Sequence, residues 1–268
     1  MNEIPSTHPR AASLRIREQL IEGFKEGYVA MAGLIAHGRG EAFDYLIGEK
    51  TTSASLQATK VAAALLLLAK NPVISVNGNL AALAPKETVQ LAKLTRSKIE
   101  VNLFYRTRER ELVIAKVLKR AGAVQVLGVA DSASATIPEL HSERRRVDPN
   151  GILISDTVLV PMEDGDRTQA LRKMGKIVIA MDLNPLSRTS RTANVTIVDN
   201  VVRAMPNLVV AANNLRMEKT SELDNIVKEF NNENNLLECL NHISRRTSKL
   251  QEEGLTIDFG GPQFSVHY

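Results

Sequence analysis

The sequence predicts an α/β fold: a mostly parallel sheet with helices on both faces, extended by helical segments at either end. Two observations predict it. Short Val- and Ile-rich runs at 73–76, 98–104, 123–129, 157–161 and 176–181 alternate with longer stretches of helical periodicity, and parallel neighbours need such crossovers. The 268 residues are also 44% hydrophobic, enough to bury a large core. Aromatics supply only 4% and Trp is absent, so that core is built from Leu, Ile, Val and Ala.

Each element follows from local signals. Leu14, Leu20, Ile21, Phe24 and Tyr28 recur near helical spacing within a helical region spanning 10–50. Gly38 and Gly40 are expected to interrupt it, with a short helix restarting over Glu41–Ile47. Residues 53–70, rich in Ala and Leu, form a strong helix that Pro72 stops. Val73–Val76 reads as a buried strand, and Asn77-Gly78-Asn79 as a turn. Pro85 opens the next helix, where its missing N–H costs nothing. Lys98–Phe104 is a second strand, Glu109–Arg120 a helix and Ala123–Val129 a third strand. A loop over 130–150 carries the triplet Arg144, Arg145 and Arg146. Thr157–Pro161 is a strand, 164–175 a turn and helix, Lys176–Met181 a strand, and Val195–Val198 a further short one. Val201–Met217 and Ser221–Leu250 are helical, the latter broken near Asn231–Asn235. The domain reading is an N-terminal helical segment (1–70), a Rossmann-like nucleotide-binding core (71–206) and a C-terminal helical segment (207–268), packed as one unit.

Charge and cysteine content narrow the function. The net charge of +4 is mild and aromatics are few, which speaks against a nucleic-acid binder. A single cysteine, Cys239, permits no internal disulfide and no Cys-based metal site. No apolar targeting core opens the chain, and the longest uncharged apolar run, Val61–Ala69, is far short of a membrane span. A cytoplasmic, soluble enzyme is expected. GxGxxG, GxxxxGK[ST] and GxSxG are all absent, which removes the standard dinucleotide, P-loop and hydrolase-elbow readings.

Ligands of open parallel sheets sit outside the carboxyl ends of the strands. The chemistry is therefore expected after each strand: near 77–79, 102–106, 162–168 and 182–191. Asp182-Leu183-Asn184-Pro185-Leu186-Ser187-Arg188-Thr189 is the densest polar stretch. Its carboxylate suits a ribose hydroxyl or a metal ion, and its Arg and Thr suit phosphate, although an ordinary proline-stiffened loop has the same composition. Asp199-Asn200 reads as a helix N-cap, or as a helix start that attracts phosphate. Gly38-Arg39-Gly40 is either a helix end with a solvated arginine or a phosphate-gripping cation beside close backbone. His37 is a base or a surface histidine. Asp164 and Asp166 cap the following helix or hold Mg²⁺.

Long motifs then carry a resemblance. They are Ile4-Pro5 with His8-Pro9-Arg10; Gly33 through Leu46; Pro72–Asn79; Val101–Thr107; Glu163–Thr168; Asp182–Ser187; and Thr196–Ala204. Together they resemble the archaeal phosphopantothenate synthetase family, the 4-phosphopantoate–β-alanine ligases, over roughly residues 4–206. The resemblance implies that ATP, 4-phosphopantoate and β-alanine give 4′-phosphopantothenate, AMP and pyrophosphate through an acyl-adenylate, in a homodimer. It places ATP contacts on Arg17, Arg39, Asp182, Leu183, Asn184, Arg188, Thr189, Asn200 and Val201. Because both nucleophiles come from substrates, the protein supplies positioning and positive charge, with Mg²⁺. Arg39 is the expected catalytic cation and His37 the candidate base for β-alanine. Asn77, Arg106 and Asp166 are candidates for substrate binding. An ADP-forming phosphotransferase acting on pantoate, and a non-catalytic nucleotide-binding module using the Arg144–Arg146 loop, are the competing readings.

Overall fold

A computed structural model describes residues 4–253 except Ser6, Pro9 and Glu139. Pro9 of the N-terminal motif and residues 254–268 of the expected C-terminal segment lie outside the described residues.

Three helices precede the sheet: α1 (Ala11–Lys25), α2 (Met31–Ile47) and α3 (Ser53–Leu68). The expected break at Gly38 and Gly40 does not occur. It falls instead at Gly27, whose φ of +83° ends α1, and α2 runs unbroken through both later glycines. Thr52 caps α3 by accepting from Ser55 N at 3.1 Å.

The sheet strands are β1 (Pro72–Val76), β2 (Lys98–Val101), β5 (Thr157–Pro161), β6 (Ile177–Met181) and β7 (Val195–Ile197). They pair in parallel in the order β2-β1-β5-β6-β7. A two-residue antiparallel pair, β3 (Ala135–Thr136) and β4 (Arg146–Val147), structures the long loop. The crossovers are α4 (Gly78–Leu83), α5 (Pro85–Thr95), α6 (Arg108–Arg120), α7 (Gly165–Lys173) and α8 (Arg188–Thr192), followed by α9 (Val201–Leu215), α10 (Thr220–Lys228) and α11 (Asn232–Glu253).

Alternation along the strands divides the core. Ile74, Leu159, Ile179 and Ile197 face one large cluster with α3, α5 and α9. Val73, Val158, Val160 and Val178 face a smaller one with α7 and the 137–152 segment. The fold is thus α/β and Rossmann-like, with helices on both faces.

Three expectations need correction. Ala123–Val129 is not a strand but a single parallel bridge, Leu127 to Glu100, since Gly128, at φ +71°, turns the chain across Val101. Asn77-Gly78-Asn79 is a helix start, because the Asn77 carboxamide accepts from Leu80 N at 3.0 Å and caps α4. The 182–194 loop contains α8, capped by Ser187, which accepts from Ser190 N at 3.0 Å.

The strand order reverses between β1 and β5. The crevice at such a reversal is where open sheets place ligands.

Candidate active site at the carboxyl ends of the strands

The rim of β6 and β7 gathers most of the predicted nucleotide residues. Asp182 ends β6, and its N–H donates to Ile197 O at 3.2 Å, so the two strand ends are held together. The Asp182 carboxylate accepts from Asn184 N at 2.9 Å and from Ser187 Oγ at 2.5 Å. Burial pushes this carboxyl above its ordinary value, and those two bonds oppose the shift. Asp182 therefore shapes the loop that carries Leu183 and Asn184. Thr189 is buried, and its hydroxyl donates to Glu163 O at 2.7 Å, tying α8 to the end of β5.

At the end of β7, Asn200 caps α9 through Val202 N at 3.3 Å and donates to Asp44 Oδ2 at 2.9 Å. The cap is therefore Asn200, not Asp199 as its residue type suggested. Asp199 accepts from Thr51 Oγ1 at 2.6 Å and pairs with Arg203 at 2.7 Å. Arg203 also reaches Asp44 at 2.5 Å. This buried knot fastens α2 and α3 to the start of α9, where Val201 lies buried.

Helix α2 therefore crosses the β6–β7 rim. Gly40 lies against the Leu183 side chain, and Arg39, itself exposed, is close enough to lower the Asp182 carboxyl. Immediately after Gly40 on α2, Arg17 of α1 grips the Glu41 carboxylate at 2.8–3.2 Å, and Tyr45 donates to the same carboxylate at 3.1 Å. Burial raises the Glu41 carboxyl, but the bonds from Arg17 and Tyr45 outweigh it and hold it low. His37 stands beside this cluster. Burial depresses its pKa, and its Nε2 is buried without a hydrogen-bond partner.

The structure thus brings Arg39, Asp182, Leu183, Asn184, Asn200 and Val201 to the β6–β7 rim, while His37 stands with Glu41, Arg17 and Asp44 on α2. Arg188 opens α8 on the same loop, but its guanidinium turns toward α7. It pairs with Asp166 at 2.7 Å and donates to Gln169 Oε1 at 3.3 Å. Two substrate candidates are structurally committed. Asn77 caps α4 and donates to Pro161 O and Met162 O at 2.9 and 3.2 Å. Arg106 is buried and bonds Glu111, Arg146 O and Gly128 O.

The sequence also concealed a buried cluster at the β1–β5 reversal. Arg144 pairs with Glu163 and Asp164, and Arg167 pairs with Glu163 and donates to Ser75 Oγ at 3.0 Å. Burial pulls both guanidinium pKa values down to about 10. The Arg144–Arg146 triplet is accordingly not one solvated patch, since Arg144 is buried and Arg145 exposed. The i,i+4 spacings Glu163–Arg167 and Asp199–Arg203 were the available signals.

Comparison with known proteins decides the lineage. The profile of a family described as phosphopantothenate/pantothenate synthetase matches residues 54–246. The chain belongs to the phosphopantothenate/pantothenate synthetase family. Relatives cover nearly all of it. The 4-phosphopantoate–beta-alanine ligase of Thermococcus kodakarensis is 53% identical over 95% of this chain and 97% of its own length. Ligases of the same name from Thermococcus onnurineus and Methanosarcina mazei are 52% and 49% identical, over 95% and 94% of this chain and 97% and 99% of their own lengths. The family match extends to residue 246, within α11. Among the described residues no helix is long and apolar enough to cross a membrane.

Proposed function

We propose that this synthetase joins 4-phosphopantoate to β-alanine at the cost of ATP, in the synthesis of coenzyme A. The observation that carries the reading is the rim itself: Arg39, the Asp182–Asn184 loop, Thr189 and the start of α9 converge in a chain about half identical to ligases of that name. In the first step the substrate carboxylate attacks the α-phosphorus of ATP. A C–O–P bond forms, pyrophosphate leaves with the electron pair, and an acyl-adenylate results. The β-alanine amine then attacks the acyl carbon, AMP leaves, and the amide remains.

Arg39, exposed beside the Asp182 loop, is the proposed cation on the polyphosphate, with Arg17 and Arg188 in support. Asp182, Leu183, Asn184, Thr189, Asn200 and Val201 line the nucleotide. Their side-chain bonds are largely internal, so they contribute shape and backbone groups held rigid. His37, kept neutral by burial and with a free ring nitrogen, is the proposed acceptor of the proton that β-alanine loses.

Among the described residues no group of three or more His, Cys, Asp or Glu is placed to hold a metal ion. This fits Mg²⁺ carried on the nucleotide, since Mg²⁺ beside phosphates needs only one or two carboxylates. When bound it supplies charge neutralisation.

We further propose that the three stretches 1–70, 71–206 and 207–268 form one unit. Its support is that the large core takes Leu20, Ile74 and Leu223 together. A homodimer and a cytoplasmic location complete the proposal. The exposed Met31 and Ile35 of α2 support the dimer. The direct test is product analysis: purified protein with ATP, 4-phosphopantoate and β-alanine releases AMP and pyrophosphate. Release of ADP and phosphate instead overturns the acyl-adenylate route.

A further inference from the structure

β5 does not run straight into α7. At Met162, just past the strand, the backbone takes a φ of +52°, a left-handed conformation that a residue with a Cβ enters only at a cost. Such strain persists where the surroundings over-determine it, and it collects at functional sites. Its neighbours fix it here. The Met162 N–H donates to Met181 O of β6 at 3.0 Å. Asn77, at the end of β1, donates to Pro161 O and Met162 O at 2.9 and 3.2 Å. Its Oδ1 accepts from Leu80 N at 3.0 Å, so the whole carboxamide is committed.

The turn reaches α8 at two points. It presents the Glu163 carbonyl to Thr189, whose hydroxyl donates to it at 2.7 Å. Two residues on, Gly165 opens α7 flush against the start of α8. A Cβ on Gly165 would lie 2.5 Å from Arg188 Cβ and 3.4 Å from Thr189 N. Gly165 has no left-handed φ, so what it supplies is space. The Glu163 side chain anchors the turn from the other side, between Arg144 and Arg167, and Arg167 is tied back to Ser75 of β1 at 3.0 Å.

We propose that the Met162–Gly165 turn is the seat of the nucleotide loop, and that Asn77, Met162 and Gly165 are positioning residues for ATP. They set where α8 starts, and hence where Arg188 and Thr189 stand. A negative φ at Met162 would turn the Glu163 carbonyl away from Thr189, and a side chain at Gly165 would push Arg188 outward. Asn77 thus serves the nucleotide from β1, across the point where the strand order reverses. The inference rests on the ligase reading above, which supplies the contacts of Arg188 and Thr189 with ATP.

Steady-state kinetics and ATP titration calorimetry on the full chain test this. Met162→Val and Met162→Gly both shorten the side chain, Gly the more, yet only Gly enters the left-handed region freely. Met162→Val raises the KM and Kd for ATP by about tenfold or more, whereas Met162→Gly, the conservative variant for the backbone, recovers both to within about threefold of the wild type. Packing loss alone would give the opposite order. Gly165→Ala also raises both constants by about tenfold, while its thermal midpoint holds or rises, because alanine suits a helix better. The KM values for 4-phosphopantoate and β-alanine move by less than about threefold in all three variants. Equal effects of Val and Gly, ATP constants unchanged in Gly165→Ala, or KM values for all three substrates rising in parallel overturn the proposal. Should Met162→Val fail to fold, Gly165→Ala decides. A wild type that binds ATP but releases no AMP removes the ligase reading, and the ATP Kd of the same variants still decides the seat.

Discussion

Arg39 shows how a residue becomes available for chemistry. It lies in the middle of α2, is exposed, makes no ion pair among the described residues, and is near enough to Asp182 to lower its carboxyl. Arg106, equally basic, is closed inside the protein by three acceptors. Arg39→Ala is therefore expected to lower kcat by about 10²–10³, the usual cost of losing one donor to a developing charge. Its unfolding temperature should stay at the wild-type value, and AMP release with a parallel thermal melt checks both. Glu100 shows the reverse case. It is buried in β2, accepts from Asp148 N at 3.0 Å and Ile152 N at 2.6 Å, and burial pushes its pKa up to about 7. A carboxyl raised on folding stabilises fully below its ordinary value and loses that contribution as pH climbs through about 7. The loss is on the order of 3 kcal/mol. Urea midpoints at pH 5 and pH 8 should reflect it. The ¹³C spectrum should show one glutamate titrating near 7, and Glu100→Gln should remove that signal.

At the scale of elements, α2 is what turns a sheet edge into a site. Its Asp44 joins Asn200 and Arg203 of α9, its Glu41 joins Arg17 of α1, and its Gly33 lets Asn79 of α4 approach to a 2.9 Å bond with the Gly33 carbonyl. Gly78 makes the companion contact, since a Cβ there would strike the Tyr28 carbonyl. The Asp44–Arg203–Asp199 knot is the strongest of these ties because its carboxylates are almost fully buried. Removing the cation strands two charges in the interior. Arg203→Ala should destabilise the protein by about 3–5 kcal/mol, measured by denaturant unfolding. It should also weaken ATP binding, because α2 is no longer held over the rim. Destabilisation with intact ATP affinity would show that α2 is positioned by its other contacts.

For the whole molecule, the parallel sheet fixes one active edge, and the helices around it decide what reaches that edge. The sheet order puts β6 and β7 beside each other, so the loops that follow them, the proposed nucleotide loops, adjoin. Helix α3 packs on β7, α9 and α10, α11 joins α2 and α3 there, and α1 packs on α4, while α7 and the 137–152 segment cover the other face. The exposed apolar residues of α2 argue for a partner copy. Sedimentation should accordingly give a particle of twice the chain's 29.4 kDa. Substituting Met31 and Ile35 with Glu should yield monomer, and a wild-type monomer would leave that apolar face without a function.

The sequence alone determined the alternation of strands and helices, because buried parallel strands must be nearly continuous in Val and Ile and their crossovers must be amphipathic. Val73–Val76 and Ile177–Met181 are legible for that reason, as is the polar loop that follows the latter. Pairing was beyond its reach. Ala123–Val129 has strand composition, yet only Leu127 pairs, since an edge position and a turn at Gly128 end the ladder. Gly38 and Gly40 signalled a break, but a helix clamped through Glu41 and Asp44 tolerates a cost of about 1 kcal/mol for each glycine. The roles of Arg106, Arg144 and Arg188 were likewise decided by tertiary structure. A side chain's charge is written in its own residue, whereas its availability depends on which acceptors the fold brings to it.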